Sequence, residues 1–360
     1  MKEKHLYYLG GAFLVLLVIY FVTKPRLSTV NYDDIVQSVI IGVSKDDVKE
    51  IEVYKQTGGG EEARMMFVKR DDQWYMPTKF NAKVKDYSIN RIIDDMLEMT
   101  GKVRSSDPKH QEMFKITDQS GIHVIMKDNT QKPLANVIIG KKGEDYNTGF
   151  VRYAGKEKIY AVDKNILSAL GVHNQIDTLT HFQTSNFIDL NAVKLDKEEL
   201  KIAALVSNGN ELQIKKVEKI TEQAEEDTTK PVKKEFQWVL VKGKNEIKLD
   251  QTEVNKFLSE VTNVYTQEVI DNIGNTLEDL SKSSRYGFSR PSHYMVFIKQ
   301  EDDSRYNVIF GKEYEEEKGY YMYVEYDNLV YKVSNSKFDS IFKWVDELPT
   351  KLPKEEEKAS

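Results

Sequence analysis

Cysteine is missing from all 360 positions, which removes disulfides, thiolate metal ligands and cysteine nucleophiles at once. Histidine is scarce. His5, His110, His123, His173, His181 and His293 are scattered, without a His-x-x-x-His pair or a flanking Glu, so a zinc site of the usual spacing has no support. No Gly-x-Ser-x-Gly elbow is present, and no serine stands in a recognisable pattern with a histidine. An excess of basic charge is also lacking. The net charge is −6, against a nucleic-acid binder. Gly58-Gly59-Gly60 has no following Lys-Ser/Thr and no helix start, so it reads as a flexible turn and not as a phosphate cradle. Asp94-Asp95, Asp302-Asp303 and Glu315-Glu316-Glu317 fall on helix faces or turns, where solvated charge is the default; Glu313–Glu317 has the further reading of an acidic loop for a cation or basic partner. These absences leave no catalytic, cofactor-binding or metal residue to name, and the chain reads as not an enzyme.

Long hydrophobic runs are lacking everywhere but one place. Leu6–Val22 is an uncharged run of 17 residues between Lys2 and Lys4 on one side and Lys24 and Arg26 on the other. A spanning helix needs about 20 apolar residues and can manage with roughly 17. Tyr7, Tyr8 and Tyr20 near its ends suit the headgroup layer. No small-residue cleavage site follows, which favours an uncleaved membrane anchor over a signal peptide. The expectation is a single transmembrane helix in residues 1–23, a polar connector at 24–47 and the bulk of the chain outside the cytoplasm.

What the rest of the chain has in quantity is internal likeness. Gln73-Trp74, a helical stripe at Ile89–Met99 and Asn136-Val137-Ile138-Ile139-Gly140 return as Gln237-Trp238, a stripe at Val254–Val264 and Asn307-Val308-Ile309-Phe310-Gly311. The tryptophans are 238 − 74 = 164 positions apart and the glycines 311 − 140 = 171 apart. Ile89, Ile92, Ile93, Met96 and Leu97 share one helix face, and Val254, Phe257, Leu258 and Val261 share the other. Asp86-Tyr87-Ser88 and Thr252 offer capping side chains.

Short strands are read at Val48–Tyr54, Met65–Val68, Ile122–Met126, Leu134–Ile139, Gly149–Tyr153 and Ile159–Val162, and again at Tyr294–Ile298, Tyr306–Phe310, Tyr320–Tyr326 and Leu329–Val333. Closing helices are placed near Lys164–Leu170 and Ser336–Val345. Thr100–Gln119 and Thr266–Ser292 are read as polar connections.

The expected fold is α+β: the transmembrane helix, then two tandem repeats of an antiparallel-sheet-plus-helix module at 48–175 and 176–348. Residues 218–235 are a charged insertion in the second, and 349–360 a disordered tail.

Tyr314, Tyr320, Tyr321, Tyr323 and Tyr326 gather on the last strands of the second repeat. Alternate strand positions face opposite ways, so one set is a candidate interaction surface; cross-strand pairs within the sheet are the other reading.

Tyr286-Gly287-Phe288-Ser289-Arg290-Pro291, Val308-Ile309-Phe310-Gly311, Tyr323-Val324 and Val330-Tyr331 together resemble the bacterial domain of unknown function 4340 family. Its pattern is a tyrosine-glycine-leucine-x-x-proline turn, a strand ending in Ile-Gly and paired Val-Tyr strands. The first repeat has Phe114-Lys115-Ile116-Thr117 at the turn, without Gly or Pro, yet keeps Ile139-Gly140, Phe150-Val151-Arg152 and Ile159-Tyr160-Ala161-Val162.

Members are often encoded beside an ABC-transporter ATPase, a permease and a gliding-motility-type auxiliary subunit. The resemblance therefore implies a non-catalytic, membrane-anchored accessory or scaffold subunit of such a transporter. Its partners would be those transporter subunits and the membrane through Leu6–Val22, with no nucleic acid. The alternative is an envelope glycan- or lipid-binding module using the cleft between the repeats.

Overall fold

Period-two alternation runs through β2 (Glu50–Gln56), where Ile51 and Val53 are fully buried on one face while Glu50, Glu52 and Tyr54 occupy the other. Its antiparallel neighbours are β3 (Glu62–Arg70) and β7 (Ile122–Lys127). Around them stand β1 (Gln37–Ser38), β4 (Gln73–Met76), β5 (Ala82–Lys83), β6 (Thr100–Ser105), β8 (Pro133–Lys142), β9 (Gly149–Tyr153) and β10 (Ile159–Val162). They form a ten-stranded sheet in the order β1-β6-β10-β9-β8-β7-β2-β3-β4-β5. The computed structural model describes residues 13–17, 20, 35–57, 62–173, 175–219, 235–274, 277–314 and 318–353.

The second large sheet is built from β12 (Leu200–Ser207), β13 (Asn210–Lys219), β14 (Glu235–Lys242), β15 (Asn245–Lys248), β17 (Glu268–Asn272), β18 (His293–Lys299), β19 (Arg305–Tyr314), β20 (Gly319–Val324) and β21 (Leu329–Ser334). Its order, taken from the far edge, is β17-β21-β20-β19-β18-β12-β13-β14-β15. With β1 set aside, each strand of the first sheet has a counterpart in the second at the same place in the order. All pairings are antiparallel.

An amphipathic helix lies on the inner face of each sheet, joined on the second by the later helix Asn335–Phe342. In α1 (Asp86–Glu98) the stripe Ile89, Ile92, Ile93 and Met96 is buried. After α2 (Ile166–Ala169), α3 (Gln251–Val261) buries Val254, Phe257, Leu258 and Val261. The caps differ from the sequence expectation. Lys85 is the N-cap of α1 without a side-chain bond, and Asp86 places its charge in the first turn. Asp250, two residues before Thr252, caps α3 through the amides of Thr252 and Glu253. Three further helices follow: α4 (Leu277–Tyr286), α5 (Asn335–Phe342) and α6 (Trp344–Glu347).

One apolar core runs through both sheets, from Ile51 and Phe67 to Phe257 and Phe310. The chain between them ties the halves together. Ile188 bridges Val84, the Lys85 amide donates to the Phe187 carbonyl at 2.8 Å, and β11 (Asn191–Lys194) pairs with β16 (Asn263–Tyr265) as a third, two-stranded sheet. Phe187 packs its ring 5.1 Å from Phe67.

This architecture overturns the expected α+β fold of a transmembrane helix and two sheet-plus-helix modules. The chain is mostly β, in three antiparallel sheets with few helices. Part of the reason lies in the supposed polar connections. Thr100–Gln119 opens with β6 and Thr266–Ser292 contains β17, strands whose polar sequences carry no clear apolar period and which are held by neighbours from elsewhere in the chain. The helix expected at Lys164–Leu170 shrinks to the four residues of α2.

Among the described residues no helix is long and apolar enough to cross a membrane. Most of Leu6–Val22 lies outside the described residues; Phe13–Leu17 and Tyr20 are helical and exposed. Gly58-Gly59-Gly60, Glu315-Glu316-Glu317, residues 220–234 of the insertion and 354–360 of the tail also lie outside them.

Candidate interaction surface

The residues that carry the family pattern meet at one joint in each sheet. Tyr286-Gly287-Phe288 lies across Gly311, so closely that a Cβ on Gly311 would stand 2.8 Å from the Phe288 ring and nearer still to the Tyr286 carbonyl oxygen. Gly287 itself has φ +84°, and a Cβ there would meet the Lys312 amide nitrogen at 2.8 Å. In the first sheet Phe114-Lys115-Ile116 crosses Gly140 in the same manner, with the Lys141 amide donating to the Phe114 carbonyl at 2.9 Å. Both joints sit on a β-bulge, between Ile139 and Lys142 and between Phe310 and Glu313. The motif residues are a packing lock.

The five tyrosines divide between the two faces of the second sheet. Tyr320 stacks on Phe338 of α5 with centroids 3.8 Å apart. Tyr321 meets Tyr286 edge-on at 4.9 Å, and Tyr323 lies 5.7 Å from Phe288, both in a small apolar cluster with Ile273 and Val330. Tyr314 is buried and donates to Gln267. Tyr326 shows a flank to solvent, but its hydroxyl donates to the Ala192 carbonyl at 2.6 Å, and burial raises its pKa well above the ordinary phenol value. Beside it Tyr331 donates to Asp327 at 2.7 Å; burial pushes the Asp327 carboxyl up to about 6.

Among the described residues, His110, His123, His293 and the acidic pairs singled out in the sequence are each engaged locally. His123 stacks on Tyr54 at 4.4 Å, His110 bonds Ser105, and His293 lies against Phe338 and Phe342, where burial depresses its pKa. Asp94 pairs with Lys45, Asp95 with Arg91 and Lys164, and Asp303 with Lys201. Among the described residues no three His, Asp or Glu side chains form a metal-binding group.

The feature that sequence reading missed is the outer face of β12 and β18. Ile202 pairs with Ile298, Ala204 with Val296 and Val206 with Tyr294, and all six side chains are half-buried on the face away from the core. Their inward neighbours Ala203, Leu205, Met295 and Phe297 are fully buried. The counterpart strands β2 and β7 carry Glu50 with Lys127, Glu52 with Ile125 and Tyr54 with His123 at the same three pairings. There Lys127 donates to Glu50 at 2.8 Å and to Glu52 at 2.9 Å, Gln131 donates to Glu50 at 2.9 Å, and the carboxylates are buried. One sheet closes this face with internal ion pairs; the other leaves an apolar stripe. The signal was present as apolar residues at both parities of β12 and β18, a pattern otherwise found in strands covered on two sides.

The cleft between the halves is a different surface. Its volume is about 530 Å³, and Lys79, Gln267, Glu268 and Lys332 line it, with Lys79 bridging to Glu268 at 3.2 Å.

The family described as Domain of unknown function (DUF4340) matches residues 74–283, more than half of the chain. No curated protein and no solved structure matches it.

Proposed function

The chain belongs to the domain of unknown function 4340 family, and from that premise we propose that it is a non-catalytic accessory subunit of an ABC transporter of the gliding-motility-associated type. It works by binding, at the outer face of the cell membrane, and scaffolds the transporter's permease and auxiliary subunits.

The observation that carries this reading is the stripe Ile202, Ala204, Val206, Tyr294, Val296 and Ile298. Half-buried apolar side chains set side by side on a sheet whose other face is already a full core support a contact surface for another protein. At the same place in the first sheet the position is filled by the Lys127 ion pairs with Glu50 and Glu52, a contrast that supports a separate use for the apolar face. The cleft between the halves, with its Lys79–Glu268 bridge and mostly polar lining, is poorly suited to a lipid chain.

The experiment is a mild-detergent pull-down of the tagged full chain from native membranes, run beside the double variant Ile202→Glu/Ile298→Lys. The variant transplants the Glu50–Lys127 pair onto the apolar face, so the sheet should tolerate it. Co-purification of an ATPase and permease with the wild type and their loss from the variant is the expected result. A wild-type protein that comes down alone sinks the proposal, and equal recovery with both proteins removes the stripe from it.

A further inference from the structure

A cavity of about 880 Å³ opens in the first half, away from the apolar stripe. Phe114, Phe150, Leu167, Val172 and Ile176 form its floor. Met113 and Tyr146 stand at its lining with 55% and 67% of their surface exposed, apolar groups held in water at the opening. Its size falls within the range of about 300–1,000 Å³ typical of small-molecule sites.

The rim is cationic. Arg104, Lys115, Lys141 and Lys142 line it, against Glu144 and Asp177. Lys115 is neutralised by Glu112 at 2.8 Å and Asp177 at 3.5 Å. No carboxylate pairs with Arg104, Lys141 or Lys142 among the described residues, and Lys141 lies 5.4 Å over the Phe114 ring. The two lysines are adjacent in sequence and both reach the cavity because they sit at the β8–β9 bulge, which re-aims side chains. At the matching bulge of the second sheet the residues are Lys312 and Glu313, so the doubled positive charge belongs to the first sheet alone.

An aromatic and aliphatic floor gives a bare inorganic anion little to bind, and uncompensated cations give a neutral amphiphile no partner for its headgroup. We propose that this cavity binds an amphiphilic organic anion, a single phosphate or carboxylate carried on an apolar body. Lys141 and Lys142 hold the anionic group at the rim, and Phe150, Leu167 and Ile176 receive the apolar part.

Calorimetric titration of the full chain tests this with three probes: decyl phosphate below its micelle concentration, inorganic phosphate, and decyl maltoside. Decyl phosphate should saturate at one per chain, at least tenfold tighter than either of the others. The Lys141→Gln/Lys142→Gln variant should bind it at least tenfold more weakly while unfolding at the same temperature as wild type. Absence of saturable decyl phosphate binding overturns the proposal, as does unchanged affinity in the variant. Equal binding of inorganic phosphate would show an anion site without the apolar requirement, and equal binding of decyl maltoside an apolar site without the anion; either overturns the amphiphile. None of these outcomes depends on the transporter.

Discussion

Lys115 and Gly287 hold the same place in the two sheets, each in the left-handed region, at φ +55° and +84°, and each crossing the bulge of a central strand. Only glycine enters that region without a Cβ penalty. The first sheet therefore makes the same turn without the residue that makes it easy. Gly287→Ala should destabilise the chain by about 2 kcal/mol, combining the φ penalty with a Cβ driven against the Lys312 amide. Lys115→Gly should be close to neutral, because relief of strain offsets the loss of a half-buried side chain and its surface ion pairs with Glu112 and Asp177. Urea midpoints of both variants against wild type check the pair. A costly Lys115→Gly would mean that the side chain, and not the turn, matters there.

Lys127 lies between two buried carboxylates, Glu50 and Glu52. Burial alone would raise the Glu50 pKa, but hydrogen bonds from Lys127 and Gln131 outweigh it and hold the carboxyl below its ordinary range. Lys127→Met should cost about 3 kcal/mol, since it leaves the Glu50 charge buried without an ion pair, while Glu52 keeps its bridge to Arg64. Part of that loss should return at acidic pH, when Glu50 can protonate. A variant whose stability matches wild type at pH 7 would show that water reaches these carboxylates freely.

Asp327 runs the other way. Its folded carboxyl titrates at about 6, against 3.8 for an unperturbed one, because burial beside Tyr331 and Tyr326 penalises the charge. The folded state thus binds the proton more tightly than the unfolded state. Stability from this group is fully present below pH 3.8 and is lost as pH rises through 6, a swing of about 3 kcal/mol. Asp327→Asn removes the charge and keeps an acceptor for the Leu329 amide, while its Nδ2 amide stands where Tyr331 now donates, so that hydroxyl must turn to accept. Guanidinium melts at pH 7 and pH 5 should show wild type gaining on the variant as pH falls. A wild-type-minus-variant difference that does not change with pH would refute the raised pKa.

Periodicity exposed the elements that face one core. The stripes Ile89–Met96 and Val254–Val261 are buried where the 3.6-residue spacing puts them, and the Trp74 and Trp238 landmarks both fall on buried strand positions. It failed where neighbours distant in sequence decide the outcome. Lys102 and Arg104 in β6 carry no apolar alternation, yet β10 and β1 hold that strand in the sheet. The same limit explains the surface. Tyr321 and Tyr323 do lie on the face away from α5, but α4 and Phe288 pack on them, a cover that strand alternation alone does not foresee. The apolar stripe went unseen for the converse reason. Ile202 and Ile298 look like core residues until the sheet order shows their face turned away from it.

The thread of chain from Phe187 to Lys194 serves two sheets at once, bonding to β5 on one side and β16 on the other. This makes the obvious scissors cut between the halves the wrong one. A first half ending at residue 175 would lose the bonds that Phe187, Ile188 and Asp189 make to Val84, Lys85 and Lys83, and would expose Phe67 where Phe187 had covered it. A second half begun after residue 194 would leave Val264 without its strand partner. Each half would need the same residues, so two separately expressed pieces must overlap there, and a protease nick in that thread would loosen both at a single stroke.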